Sequence, residues 1–155
     1  MRALTVYQPW ASLIAAGAKP YEFRSWRFPV GLIGDRIAIH AGARPIRQRE
    51  VVGLIYALEA DSDMPPCLHR DTALPVLITA RDTPERLPIS HVVCTAVLGP
   101  PKRGDECAGE FGILVGGNDS DRAWAFNWGW PMLDVEPVVP PAPARGAQGF
   151  WHWSP

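Results

Sequence analysis

The apolar positions change period several times along the chain, and each change marks an element. Leu4 and Val6 alternate with Ala3, Thr5 and Tyr7, the pattern of a short strand with one apolar face. A helix follows at once: Pro9 suits its first position, Trp10, Leu13 and Ile14 make one apolar face, and Gly17 can take the left-handed cap. Little more than two turns long, it must pack on a sheet to be stable. From Tyr21 to Trp26 the period is two, with Tyr21, Phe23 and Ser25 on one face and Glu22, Arg24 and Trp26 on the other. Gly31 and Gly34 mark a turn, and Arg36 to Ala41 reads as a strand with Ile37 and Ile39 inward and His40 beside Arg36 and Ala38.

Between Pro45 and Leu58 the period becomes helical, with Val51, Leu54, Ile55 and Leu58 on one face. Residues 61–90 hold five prolines and read as an inserted loop with at most a short element around Leu74 to Thr79. His91 to Leu98, apolar on both faces and rich in β-branched residues, reads as a central strand. A strand is expected at Phe111 to Val115. Three more should follow, at RAWAFNWGW, MLDVEPVV and GFWHW, interrupted by Pro131 and by the proline-rich PPAPARG. No βαβ repeat appears, so the expected fold is α+β, one domain over residues 1–155: a small, mostly antiparallel β-barrel flanked by two main helices. One contiguous core should join Leu4, Val6, Leu13, Ile14, Phe23, Ile37, Ile39, Leu54, Ile55, Val93 and Val97.

Composition narrows the class. The chain is 47% hydrophobic and 20% charged, which is globular, with 17 prolines and 14 glycines that imply many turns. Cys67, Cys94 and Cys107 are odd in number and lack C-x-x-C spacing, so reduced thiols are expected rather than a disulfide framework or a zinc site. The four histidines show no metal-binding spacing, and nothing calls for a cofactor. Without a signal-peptide pattern or a long apolar run, a cytoplasmic protein with no membrane partner is expected. Net charge is only −1, yet residues 1–50 carry eight Lys and Arg against three Asp and Glu. One basic face on an otherwise acidic protein would produce that split, and so would arginines scattered over a solvated surface.

The chemistry-bearing residues gather where the first helix meets the second strand. Lys19 offers a mobile cation or a base, Arg24 a planar fork for phosphate or a base edge, and Glu22 a carboxylate that orients either or accepts a proton. Trp10 and Trp26 could stack a base. Each has a structural alternative: Glu22 and Arg24 as an exposed ion pair, Lys19 as a solvated loop residue, the tryptophans as core. The four late tryptophans, Trp128, Trp130, Trp151 and Trp153, read as barrel packing, with an exposed protein-binding patch as the alternative.

The stretch QPWASLIAAGAKPYEFRSW at residues 8–26 resembles the signature of the ASCH domain, named for homology to activating signal cointegrator 1. The likeness continues in DRIAIHAG and in the C-terminal AWAFNWGWPMLDVEPVVPPAPARGAQGFWHW, and leaves residues 61–90 uncovered. The resemblance implies a PUA-like barrel with a cleft beside the first helix that takes single-stranded RNA or a modified nucleotide. Gln8, Trp10, Lys19, Arg24, Ser25, Trp26, Arg27 and His40 are the candidate nucleic-acid contacts. It also implies possible hydrolysis in the same cleft, by a ribonuclease or an N4-acetylcytidine amidohydrolase, with Lys19 and Glu22 as candidate catalytic residues. The amidohydrolase branch pairs its lysine with a threonine three residues later, and Glu22 stands in that place here.

Overall fold

The computed structural model of the chain describes residues 1–26, 30–60, 65–113 and 127–154. Strand β1 (Arg2–Val6) leads directly into helix α1 (Trp10–Ala15). Gln8 starts that helix by accepting the Ser12 backbone N–H on its Oε1 at 3.1 Å. Gly17, at φ +71°, ends it in the left-handed conformation expected of a glycine cap. The N–H groups of Ala18 and Lys19 then both donate to the Leu13 carbonyl, at 2.9 and 3.1 Å. This closure turns the chain into β2 (Tyr21–Arg24) and fixes where Lys19 leaves the helix.

Strands β3 (Arg36–Ala41) and β4 (His91–Leu98) lie where the periodicity put them, and β4 is central as expected, buried on both faces. With β6 (Trp128–Pro143) and β7 (Phe150–His152) they form a mixed sheet in the order β2-β6-β4-β3-β1-β7, and the short β5 (Lys102–Arg103) pairs with β6. β1 and β3 are parallel; every other pairing among the described residues is antiparallel. The sheet curls into a half-barrel whose two ends approach. An Arg24 guanidinium nitrogen donates to the Thr5 carbonyl on β1 at 3.1 Å, and the Trp26 ring meets Phe150 of β7 edge-on with centroids 6.4 Å apart. The α+β barrel class read from the sequence is what the chain adopts.

Helix α2 (Gln48–Glu59) buries Val51, Ile55 and Leu58, as its period demands. Residues 61–90 are not the loop their prolines suggested: Arg70–Asp82 form a thirteen-residue helix, α3, with Pro75 inside it. Pro75 removes one hydrogen bond, to the Asp71 carbonyl, but both residues are exposed and water can serve that oxygen. The inner face, Ala73, Leu77 and Ala80, is fully buried and outweighs the lost bond. A fourth helix, α4 (Gly104–Glu110), precedes the place where a strand was expected. Phe111 to Ile113 form a turn there, and Leu114 and Val115 lie outside the described residues.

The C-terminal strands also differ. Trp128 to Pro143 make one sixteen-residue strand that runs through Pro131 and Pro140. Val92 pairs with Ala142 and Cys94 with Pro137, so residues 138–141 stand together opposite the single Val93. Prolines that cannot donate to the ladder are tolerated in such an irregularity.

The expected single core is divided into four clusters. Leu4, Val6, Ile14, Ile37, Ile39 and Trp130 pack inside the half-barrel, while Leu13 and Ala18 pack against α2 and α3. Phe23 belongs with Tyr21, Cys67, Cys107 and Ala108 beneath α4. On the far side of the sheet Ala3, Ala38 and Val92 pack on Trp153. Trp130 and Trp153 are buried, and Trp128 and Trp151 are half-buried, so the late tryptophans serve packing. No helix among the described residues is long and apolar enough to cross a membrane.

Candidate nucleic-acid interface

The period of two places Glu22 and Arg24 on the same face of β2, and the end of α1 brings Lys19 beside them. Lys19 Nζ lies 3.9 Å from Glu22 Oε2, and the Arg24 guanidinium lies 3.0 Å from Glu22 Oε1. The lysine is 3% exposed and sits over the rings of Trp10 and Phe23, at 4.8 and 5.0 Å from their centroids. One buried carboxylate therefore holds two cations, and Arg24 alone of the three reaches an open surface.

That surface is a cleft of about 1340 Å³ between the ends of β1 and β3 and the loop that joins β6 to β7. Arg24 and Trp26 form one side, and Arg145, Gly146 and Gln148 line it from the connecting loop. Arg44 also lines it, its guanidinium 4.0 Å over the Tyr7 ring. No Asp or Glu is among the described residues that line the cleft. Arg24 Nε and Arg44 Nε are buried with no hydrogen-bond partner among the described residues. Buried donors of that kind favour an anion arriving from the cleft.

The other expected contacts fall in different places. Gln8 is fully buried, its amide nitrogen donating to Ser12 Oγ and the Pro88 carbonyl, both at 2.8 Å; it fixes the start of α1 and does not line the cleft. Trp10 is half-buried and donates its indole N–H to Glu50 at 3.0 Å. Ser25 is exposed beyond β2, and Arg27 lies outside the described residues. His40 lies on the cleft floor but is only 2% exposed, with Nε2 3.0 Å from the Ala144 carbonyl and Nδ1 3.3 Å from Thr5 Oγ1. Burial, more than any neighbouring charge, holds its imidazole below the usual histidine range.

The sequence reading missed Tyr7, Arg44, Arg145 and Gln148. Arg145 and Gln148 stand in the glycine-flanked R-G-A-Q-G, a stretch with no periodicity to show which way a side chain faces. Among the described residues no group of three His, Cys, Asp or Glu side chains is placed to hold a metal ion.

The family model for the ASCH domain matches residues 4–102, well over half of the chain. The chain belongs to the ASCH domain family. Its match takes in the Lys19, Glu22, Arg24 junction and ends before the R-G-A-Q-G loop. Among solved structures, the chain is similar to the ASCH protein from Zymomonas mobilis, at TM-score 0.49 and 14% identity over 92% of this chain and 72% of that one. A serine-to-alanine mutant of that protein gives 0.49 and 15% over the same shares. No curated relative matches the sequence.

Proposed function

We propose that this ASCH domain binds single-stranded RNA, or a modified nucleotide within it, in the cleft between β2 and the β6–β7 loop. The observation that carries the reading is the company the cleft keeps: Arg24, Arg44 and Arg145 with no carboxylate among the described residues of its lining, beside the half-exposed rings of Trp26 and Tyr7. Guanidinium groups suit phosphate oxygens, and exposed aromatic faces suit unstacked bases. Glu22 and Lys19 act through Arg24 in this reading, as the buried support that aims its fork. Hydrolysis would require Lys19 or Glu22 to meet the substrate directly. At 3% and 8% exposure they leave that contact to Arg24, which favours binding over turnover.

Fluorescence anisotropy of a labelled single-stranded oligoribonucleotide across a salt series tests the proposal. Wild type should bind with a negative salt slope, and Arg145→Ala should weaken binding to every sequence and reduce that slope by about one. Trp26→Ala should weaken binding by about 1–3 kcal/mol and leave the slope unchanged. Absence of binding at low salt, or turnover of RNA or N4-acetylcytidine that survives Arg24→Ala but not Lys19→Ala, would overturn the reading.

A further inference from the structure

The loop that carries Arg145 and Gln148 is exposed from Arg145 to Gly149, yet it is tied to the sheet by a cluster of polar contacts. Four short contacts meet there. His40 Nε2 faces the Ala144 carbonyl at 3.0 Å, His40 Nδ1 faces Thr5 Oγ1 at 3.3 Å, Thr5 Oγ1 donates to the Ala147 carbonyl at 3.0 Å, and the Trp151 indole N–H donates to Thr5 Oγ1 at 3.1 Å. Gly146 lies close against the imidazole: a Cβ there would come to 2.5 Å from the ring.

The hydrogens available do not match the contacts when His40 is neutral. Trp151 supplies one, the threonine hydroxyl one and a neutral imidazole one, which makes three for four contacts. With the hydrogen on Nε2, the Nδ1 lone pair faces a threonine oxygen whose own hydrogen points to Ala147. With the hydrogen on Nδ1, the Nε2 lone pair faces the Ala144 carbonyl. Only the doubly protonated ring fills all four contacts.

We propose that Thr5 and His40 are positioning residues that clamp the arginine-bearing wall of the cleft, and that protonation of His40 locks the clamp and tightens the hold on an anionic ligand. The inference rests on the RNA reading for the identity of that ligand. Burial, and after it His91 on β4, opposes protonation of the ring in the free protein, and Arg24, Arg44 and Arg145 line the same cleft. Phosphate bound among those arginines adds a negative charge to the cleft that favours the protonated ring. Ligand and proton then favour each other, and each must raise the affinity for the other.

Two measurements on the folded chain test this separately from the RNA reading. The first follows the His40 ring by NMR together with hydrogen exchange of the 145–149 amides, corrected for intrinsic rates, between about pH 8 and pH 5.5. Protection of those amides should rise with the His40 titration. The second measures affinity for a labelled oligouridylate without terminal phosphates, in which no group titrates over that range. Wild type should bind about three- to tenfold tighter at the lower pH, and Thr5→Val and His40→Gln should each flatten the dependence.

Protection that is constant or falls as His40 takes up its proton overturns the clamp, as does affinity that does not follow protection. No binding at either pH, with protection still tracking His40, refutes the RNA reading and upholds the clamp itself. The wild-type measurements decide the matter even if either variant fails to fold.

Discussion

A lysine and a glutamate meet at each face of strand β2, and the two pairs behave differently because one is dry and the other wet. On one face Glu22 holds Lys19 and Arg24, with the lysine and glutamate side chains 3% and 10% exposed. On the other, Tyr21 meets Glu110, which binds Lys102 at 2.5 Å with both partners 43% exposed. Lys102 also donates to the Tyr21 hydroxyl at 2.9 Å. The compositions are alike, but the costs of disruption are not. A buried carboxylate that loses its charge is not replaced by solvent, whereas an exposed one is replaced by water.

The largest effect expected from that contrast is at Glu22. Glu22→Gln should cost about 3–5 kcal/mol, because it takes the carboxylate away from a lysine that is only 3% exposed. Denaturant unfolding would read the loss, and a thermal midpoint lowered by on the order of 10 °C would accompany it. Adding Lys19→Met to that variant should recover more than half of the loss, since the pair is then removed together and the aliphatic stem still fills its place between Trp10 and Phe23. A single variant within about 1 kcal/mol of wild type would put the buried face in the same class as the exposed one.

This difference between faces was half legible in the sequence. Period two separated Glu22 and Arg24 from Tyr21 and Phe23, and the glycine stop at Gly17 placed Lys19 with the former. Their burial was not legible, because it depends on α1 and β6 covering the junction from positions distant in sequence. Nor was the cleft: Arg24 is local to its motif, but Arg145 reaches the same space from more than a hundred residues away, through a loop with no period. Helix α3 was hidden for another reason, since the proline count outweighed the i, i+4, i+7 spacing of Ala73, Leu77 and Ala80. Strands β3 and β4 were readable because β3 alternates Ile37 and Ile39 with shorter or polar residues and β4 is a β-branched run.

Arg24 sharpens the comparison at intermediate size. Arg24→Lys keeps the charge but loses the guanidinium Nη2 that joins Glu22 to the Thr5 carbonyl across the seam of the half-barrel. A loss of about 1.5–3 kcal/mol in stability is expected, as for a charge-assisted hydrogen bond. RNA affinity should fall while the salt slope stays unchanged, since the number of cations is the same. A stable variant with wild-type affinity would show that only the charge matters at this position.

The smallest effect belongs to the wet face, and its pH dependence identifies its cause. Hydrogen bonds from Lys102, then from the Tyr21 hydroxyl, hold the Glu110 carboxyl below its ordinary value of 4.5. A carboxyl whose value is depressed by folding contributes stability that is complete above 4.5 and disappears as pH falls through the folded value. At neutral pH Glu110→Gln should therefore cost no more than about 1 kcal/mol, and less at high salt, where the screening length is only about 3 Å at 1 M. On acidification below 4.5 the two proteins should converge, because wild type loses what the variant never had. The Glu22→Gln difference at neutral pH should persist in high salt, since Lys19, at 3% exposure, is out of the ions' reach. If the Glu110 difference instead survived acid, its origin would be packing of α4 on Tyr21 rather than charge, and burial would no longer be what separates the two faces.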